Sequence, residues 1–515
     1  MQVKERNLHP VQRTLPGHAG VAIIGSGFSG LAMAARLKRA GRSDFVILER
    51  AGDVGGTWRD NSYPGCACDV PSHLYSFSFA LNPEWSSTFS PQPEIQAYIR
   101  RVAAEQGLLD HVHLNCEVSG ASWDAAARHW RLTTSQGEVS AAVLIAAGGP
   151  LSEPSIPHLP GIESFEGSVF HSARWDHGHD LSGQRVAVVG TGASAIQFVP
   201  QIQPRVERLH LFQRTAPWIM PRRARPLTRA ERALYRRIPI AQRAVRAAIY
   251  WGRELYALPL LRAGLRPVTT RMGRAHLRRQ VKDADLRARL TPDYAPGCKR
   301  ILISNDYLPA VSQPNVSLVT DGIAEVRARS IVTTTGEELE VDTIIFGTGF
   351  HVSDFPMAHR LHDGAGRSLA EAWGGSMSAN RGATVPGFPN LFLLLGPNTG
   401  LGHTSVVLMA EWQAGYVARA LQHMRVHGLD TVEVKAEAAE NWTERMQRRM
   451  AGTVWLAGGC NSWYLDRSGR NSTLWPGFTF QFRRALSRFD AHNYVTLPAP
   501  RGDRRPGAGV RSWAA

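Results

Sequence analysis

The chain has 515 residues, of which 43% are apolar and 20% charged. That length exceeds one ordinary core and predicts two or three domains, and the composition excludes a disordered chain. A net charge of +16 raises nucleic acid as a partner, but no zinc-finger or basic-zipper spacing accompanies it, so none is expected.

Residues 1–19 carry charges, His and Pro. They read as a leader without the apolar core of a secretory signal, and no later apolar run reaches the roughly 18 residues that span a bilayer, so the protein reads as cytoplasmic. The first organised segment, Val21-Ala22-Ile23-Ile24, is a short apolar run suited to a buried parallel strand. It enters Gly25-Ser26-Gly27-Phe28-Ser29-Gly30, and a helical stretch follows from Leu31 to Arg39. Strand, glycine turn and helix together seat a pyrophosphate on a helix N-terminus. Phe45-Val46-Ile47-Leu48 then ends in Glu49, where a carboxylate accepts from a ribose hydroxyl.

The pattern recurs further on. Arg185-Val186-Ala187-Val188-Val189 leads into Gly190-Thr191-Gly192-Ala193-Ser194-Ala195, and the strand Leu209-His210-Leu211-Phe212-Gln213 ends in Arg214-Thr215. Gly27 to Glu49 and Gly192 to Arg214 are the same distance apart in sequence. A carboxylate at this register would repel a 2′-phosphate, whereas a guanidinium grips one. The first unit is therefore expected to take a cofactor with a free ribose and the second to take NADPH. Two such units in one chain suggest a flavoprotein that accepts hydride from NADPH.

Residues 221–290 are rich in arginine, with only Glu231, Glu254, Asp283 and Asp285 as acids. The favoured reading is a solvated helical face. The sharper one is weak contact with anionic lipid, because Trp251, Leu255, Leu258, Leu260 and Leu261 add apolar content. Val143 to Gly149 and Asp342 to Gly349 read as strands ending in glycine turns, which would carry the chain between the two units. Asn390 to Pro397 reads as a last buried strand, with Gly396 allowing close approach to a ring. The five cysteines, Cys66, Cys68, Cys116, Cys298 and Cys460, form an odd, dispersed set. Such a set is a poor disulfide framework; Cys66 and Cys68 read as packing residues, and no metal is expected.

Two further motifs narrow the class. One is Phe165-Glu166-Gly167-Ser168-Val169-Phe170-His171-Ser172-Ala173-Arg174-Trp175-Asp176; the other runs from Gly55-Gly56 through Thr57, Trp58 and Tyr63-Pro64-Gly65 to Asp69. Disulfide reductases share the scaffold, but the spacing of Cys66 and Cys68 is wrong for their redox pair. Together the two motifs resemble the type I Baeyer–Villiger flavin monooxygenases, over a span from about Val21 to about Arg484.

The resemblance implies an α/β fold of two Rossmann-like domains, for FAD and NADP, with a helical insertion in the NADP domain. The FAD domain would comprise residues 20–150 and 341–500, the NADP domain 151–220 and 291–340, the insert 221–290, and the tail 501–515. The implied activity inserts one oxygen atom from O2 beside a ketone carbonyl through a C4a-peroxyflavin, giving an ester or lactone. N- or S-oxygenation on the same scaffold, or a largely uncoupled NADPH oxidase, stand as alternatives. The natural ketone and the oligomeric state are not legible.

The resemblance also assigns residues. Arg300 would hold a fixed positive charge at the reacting oxygen, and Asp69 would pair with it and position it. Without the resemblance, Lys299-Arg300 would pass as an ordinary basic pair. Gly25, Gly27, Phe28, Ser29, Gly30, Glu49, Thr57, Trp58, Asp69, Tyr75, Gly396 and Asn398 are expected to contact FAD. Trp58 reads equally well as a core residue. Gly190, Gly192, Ala193, Ser194, Arg214, Thr215 and Lys299 are expected to contact NADP. Phe165, Gly167, His171, Trp175 and Asp176 are expected to control domain closure, with no proton transfer by His171. The segment from Cys460 to Asp466 is expected to line or cover the substrate cavity, and Thr399 and His403 to face the flavin.

Overall fold

In the computed structural model, which describes residues 14–499, the apolar run at the N-terminus forms the strand His18–Ile24. Val21, Ala22 and Ile23 are fully buried, so both faces of the strand are covered. It pairs in parallel with Phe45–Leu48 on one side and Gly137–Ala146 on the other, with Ile23 beside Ile47 and Ile145. Val118–Asp124 and His129–Thr134 extend this sheet in antiparallel fashion. Their burial alternates along the chain, as expected where one face meets water. Leu391–Leu393 returns late in the chain and lies parallel to Gly137–Ala146. The glycine-turn helix Phe28–Arg39 packs against the long helix Val406–His427.

A second sheet is wholly parallel, in the order Val316–Val319, Arg208–Phe212, Arg185–Val189, Thr343–Phe346, Ser168–His171. Thr343–Phe346 lies inside this sheet, so the chain leaves for the first sheet after Phe346, beyond position 341. An antiparallel three-stranded sheet, Ile323–Arg327, Ser330–Thr333 and Glu338–Glu340, precedes that strand. One continuous apolar cluster joins Val21 and Ile23 of the first sheet to Val186 and Val188 of the second.

The arginine-rich segment is helical: Arg229–Arg237, Pro239–Tyr256, Leu258–Leu261, Arg266–Gln280 and Ala284–Arg289. It is more than a solvated face. From Pro239–Tyr256, Gln242 donates to the Asn82 carbonyl at 2.6 Å and Arg246 donates to the His73 carbonyl at 2.6 Å. Among the described residues no helix is long and apolar enough to cross a membrane. The expected leader is described only from Thr14 onward, and the expected tail lies outside the described residues.

Candidate active site

Each glycine turn closes by the same device. Gly25 has φ +98° and Gly190 φ +108°, a region that favours glycine. A Cβ at Gly25 would press on the Ala147 carbonyl, and one at Gly190 on the Gly347 carbonyl. Each turn is thus held against the neighbouring parallel strand. Five residues on, the two units differ. A Cβ on Gly30 would collide with the Gly25 carbonyl, whereas the matching Ala195 fits and is fully buried.

Glu49 is 4% exposed and accepts four hydrogen bonds: from the Ser26 amide (3.0 Å) and hydroxyl (2.6 Å), the Ala51 amide (3.0 Å) and Arg59 (2.8 Å). The Gly55-Gly56 turn abuts Gly27 and opens into the short helix Thr57–Asp60. Trp58 Nε1 donates to the Tyr75 hydroxyl at 2.9 Å, and Phe28 meets the Tyr75 ring edge-on. Phe28, Trp58 and Tyr75 thus form one aromatic group beside the first turn. Ser29 is buried at the helix start.

Asp69 and Arg300 come together across 231 residues of sequence. Arg300 Nε donates to one carboxylate oxygen at 2.9 Å, and its terminal nitrogen reaches both, at 2.7 and 2.6 Å. Burial alone would raise the Asp69 carboxyl, but attraction and hydrogen bonds from Arg300 outweigh it and hold it below the usual range. The same attraction holds the guanidinium proton still more firmly. Tyr464, fully buried, lies within electrostatic reach of both; burial pushes its hydroxyl up to about 12. The pair therefore stays ionised throughout the neutral range.

On the second unit the surface is open. Gly192, Ala193 and Arg214 are exposed, and Ser194 stands at the N-cap position of the helix Ala195–Ile202 without a side-chain capping bond. Thr215 presents its carbonyl to the Thr191 hydroxyl at 3.4 Å. Lys299, its ammonium 5.2 Å from the Tyr294 ring centre, is lowered by burial and then by the nearby Arg214 charge, with Asp293 opposing. The two expected phosphate cations thus share one locality.

The fingerprint residues divide between the two ends of the strand Ser168–His171. At its start, the Asp342 carbonyl and the Phe165 ring occupy the space a Cβ on Gly167 would need. At its end, His171 is 2% exposed, accepts from the Ala173 amide at 3.0 Å and faces Phe350 edge-on. Burial lowers its pKa to about 4, leaving the ring neutral. Trp175 packs on Phe198 of the Ala195–Ile202 helix, and the Asp176 carboxylate accepts from the Gly178 amide at 2.9 Å.

Gly396 follows the strand Leu391–Leu393, between two non-glycine residues in the left-handed region, Leu395 and Asn398. Asn398 donates to the carbonyls of Asn471 and Leu474, both at 2.9 Å, so its amide nitrogen braces the C-terminal loop and is not free for a ligand. Thr399 donates to the Gly396 carbonyl, and His403 is buried 3.5 Å from Glu254.

Comparison with known proteins agrees with this geometry. Residues 22–231 match the pyridine nucleotide-disulphide oxidoreductase family. A Baeyer–Villiger monooxygenase of Streptomyces coelicolor is 53% identical, with 94% of each chain covered. The chain belongs to the Baeyer–Villiger monooxygenase family. A second Baeyer–Villiger monooxygenase, from Pseudomonas aeruginosa, is 49% identical over 94% of this chain and 92% of its own. Among solved structures, an oxidised steroid monooxygenase bound to NADP matches with TM-score 0.83 and 30% identity, over 94% of this chain and all of its own. OTEMO in complex with FAD and NADP matches with TM-score 0.83 and 27% identity, over 93% and 99%. Cys66 and Cys68 are free, buried thiols whose pKa values burial raises, that of Cys66 to about 12, which removes the thiolate that disulfide reductase chemistry needs.

Several features of this Baeyer–Villiger chain escape the sequence. Against the expectation of a poor disulfide framework, Cys298 and Cys460 are bonded to each other, and the bond ties the loop bearing Lys299 and Arg300 to the loop bearing Tyr464. Arg253, from the insert, donates to the Asp69 carbonyl at 3.1 Å. Glu254, the next residue, accepts from the Thr479 amide at 3.0 Å and from its hydroxyl. Gln197 on the second unit's helix links the units: it accepts from the Tyr63 hydroxyl and donates to the Ala67 carbonyl at 2.9 Å. No local spacing marks any of these pairings.

Proposed function

We propose that this chain binds FAD in its first unit and NADPH in its second, and converts a ketone to an ester or lactone with one oxygen atom from O2. The observation that carries this reading is the half-buried bidentate pair of Asp69 and Arg300, one partner from the segment after each glycine turn. When bound, FAD supplies the hydride acceptance and oxygen activation.

The residues present fit such a group. The Gly27 and Gly56 backbones lie against each other without side chains between them, a cradle that any Cβ would fill. Glu49 already uses its four acceptor positions, so a ribose hydroxyl would replace one donor; the Ser26 hydroxyl is the one able to rotate away. Phe28, Trp58 and Tyr75 supply an apolar wall. Arg214 and Lys299 supply two cations for a 2′-phosphate.

Arg300 keeps its charge at any working pH, so it can hold an oxyanion as the ketone carbon becomes tetrahedral, without taking part in proton transfer. Asp69 fixes the plane of that guanidinium. Neutral, buried His171 and half-buried Trp175 join the Ala195–Ile202 helix to the crossover at Phe350. They are placed to transmit closure over NADPH and exclude water.

Arg300→Ala is expected to keep NADPH-driven reduction of the flavin while ester formation falls by at least about 100-fold, the usual effect of removing one such electrostatic donor. Stopped-flow reduction and product analysis with a ketone panel measure the two halves separately. Ester formation at the parental rate would remove Arg300 from the mechanism.

A further inference from the structure

The insert helix Pro239–Tyr256 is inside out. Its buried side carries polar groups: Gln242 and Glu254 are each 2% exposed, and Arg246 and Arg253 donate to buried carbonyls. Its outward side is mainly apolar: Ile240 is 65% exposed, Trp251 56% and Leu255 66%, with Ala244, Ala247 and Ala248 exposed between them and Arg243 at the edge. These positions recur every three or four residues and so form one stripe. Helices of water-soluble surfaces show the opposite arrangement, and a continuous exposed apolar stripe marks a surface that meets something. Trp251 extends the stripe to Phe480, 41% exposed and in ring contact at 6.1 Å.

Beside the stripe lies a cleft of about 590 Å³ lined by Arg39, Arg243, Arg246, Arg419 and Arg483, with Glu411 as its acid. Tyr250 lines this cleft and touches Trp251, so the two features are contiguous. Glu411 accepts from the amide and hydroxyl of Ser78. Nη2 of Arg246 and Nε of Arg419 are buried without a partner. The cleft thus gathers several arginines around a single carboxylate, which draws on both Arg246 and Arg39. The surrounding residues 221–290 hold nineteen Lys and Arg against four acids.

We propose that this face docks on a bilayer surface bearing anionic phospholipid, with the apolar stripe at the acyl boundary and headgroup phosphates in the arginine cleft. The charge disfavours a second copy of this chain as the occupant, because two such inserts would repel. The apolar stripe disfavours a free phosphate, which would gain nothing from Trp251 or Leu255. Tryptophan, leucine and arginine on adjacent strips are the groups that settle at a membrane interface.

The test is pelleting of the full-length holoenzyme with sedimentable vesicles, of phosphatidylcholine alone or with one third phosphatidylglycerol. At least tenfold stronger partition onto the anionic vesicles is expected. Trp251→Ser with Leu255→Ser should lower it about tenfold, and Arg243→Glu with Arg483→Glu should lower it further and flatten its salt dependence. Turnover of a water-soluble ketone should be unchanged in both variants, which certifies that they fold. Equal binding to both vesicle types overturns the proposal, as does anionic binding that the Trp251 and Leu255 pair leaves untouched, since that is bulk charge alone. So does abolition by millimolar inorganic phosphate where chloride of equal ionic strength has no effect, which marks a free-phosphate site. A dimer in solution that the same apolar substitutions dissolve would assign the stripe to a second copy and also overturn it.

Discussion

The two nucleotide units share a turn and differ in finish. In the first, the strand-end carboxylate of Glu49 is buried and bonded by four donors, Ser29 is buried and Gly30 is packed on the Gly25 carbonyl. In the second, Gly192, Ala193 and Arg214 face water, and the third position of the turn tolerates an alanine. One site is built into the core and the other lies on a rim. These two finishes fit the roles proposed for them, a resident FAD in the first unit and an exchanging NADPH in the second.

The comparison is broken most forcefully at Glu49. Glu49→Ala leaves Arg59 and the Ser26 and Ala51 amides without their acceptor in a buried place, and should destabilise the protein by about 3 kcal/mol with loss of flavin retention. Urea midpoints with and without added FAD measure it; an unchanged midpoint would mean that the first unit is no more preorganised than the second. Arg253→Ala should come next. It removes a charged donor from the Asp69 carbonyl, worth about 1.5–3 kcal/mol, and should raise the fraction of NADPH consumed without ester, with Arg253→Lys intermediate. Product formed per NADPH is the readout, and unchanged coupling in the alanine variant would confine Arg253 to packing.

Arg214→Ala should raise KM for NADPH about tenfold, near 1.4 kcal/mol, and leave NADH use nearly unchanged. Flavin reduction with each nucleotide checks it, and an equal effect on both would show that the 2′-phosphate is held elsewhere. A pH dependence is expected as well. His73, His171 and His210 are lowered by burial from 6.5 to about 4, with nearby arginines adding to the shift. Below pH 6.5 the unfolded chain takes up protons that the folded chain refuses until about pH 4, so stability is full above that window and falls through it as pH drops. Glu411, whose carboxyl burial raises, works in the opposite sense. Urea midpoints that do not change between pH 7 and 5 would contradict this.

Local pattern carried far in this chain. Both glycine turns, the strand-end residues Glu49 and Arg214 and the apolar strands were readable because each is encoded within a few dozen contiguous residues. Asp69 and Arg300 were assigned by resemblance alone; no spacing joins them. Arg253 was hidden because an arginine in an arginine-rich helix gives no sign of which face it takes. The Pro239–Tyr256 helix is amphipathic by composition, but periodicity cannot say which stripe turns outward, and here the polar one turns in to reach carbonyls at His73 and Asp69. Cys298 and Cys460 lie 162 positions apart, and an odd cysteine count offered no pairing. Asn398 looked like a ligand group because it follows a glycine turn, yet the loop at Asn471–Leu474 takes its amide.

The Cys298–Cys460 bond makes part of the chain a closed ring, and the strands Thr343–Phe346 and Leu391–Leu393 and the Val406–His427 helix all belong to it. Opening a ring of that size enlarges the unfolded ensemble by an amount on the order of 5 kcal/mol in the chain-entropy description. A preparation kept in thiol reagent and one kept in air are therefore two different polymers of identical sequence. Denaturation curves from the two should be compared before any difference in robustness is ascribed to a substitution.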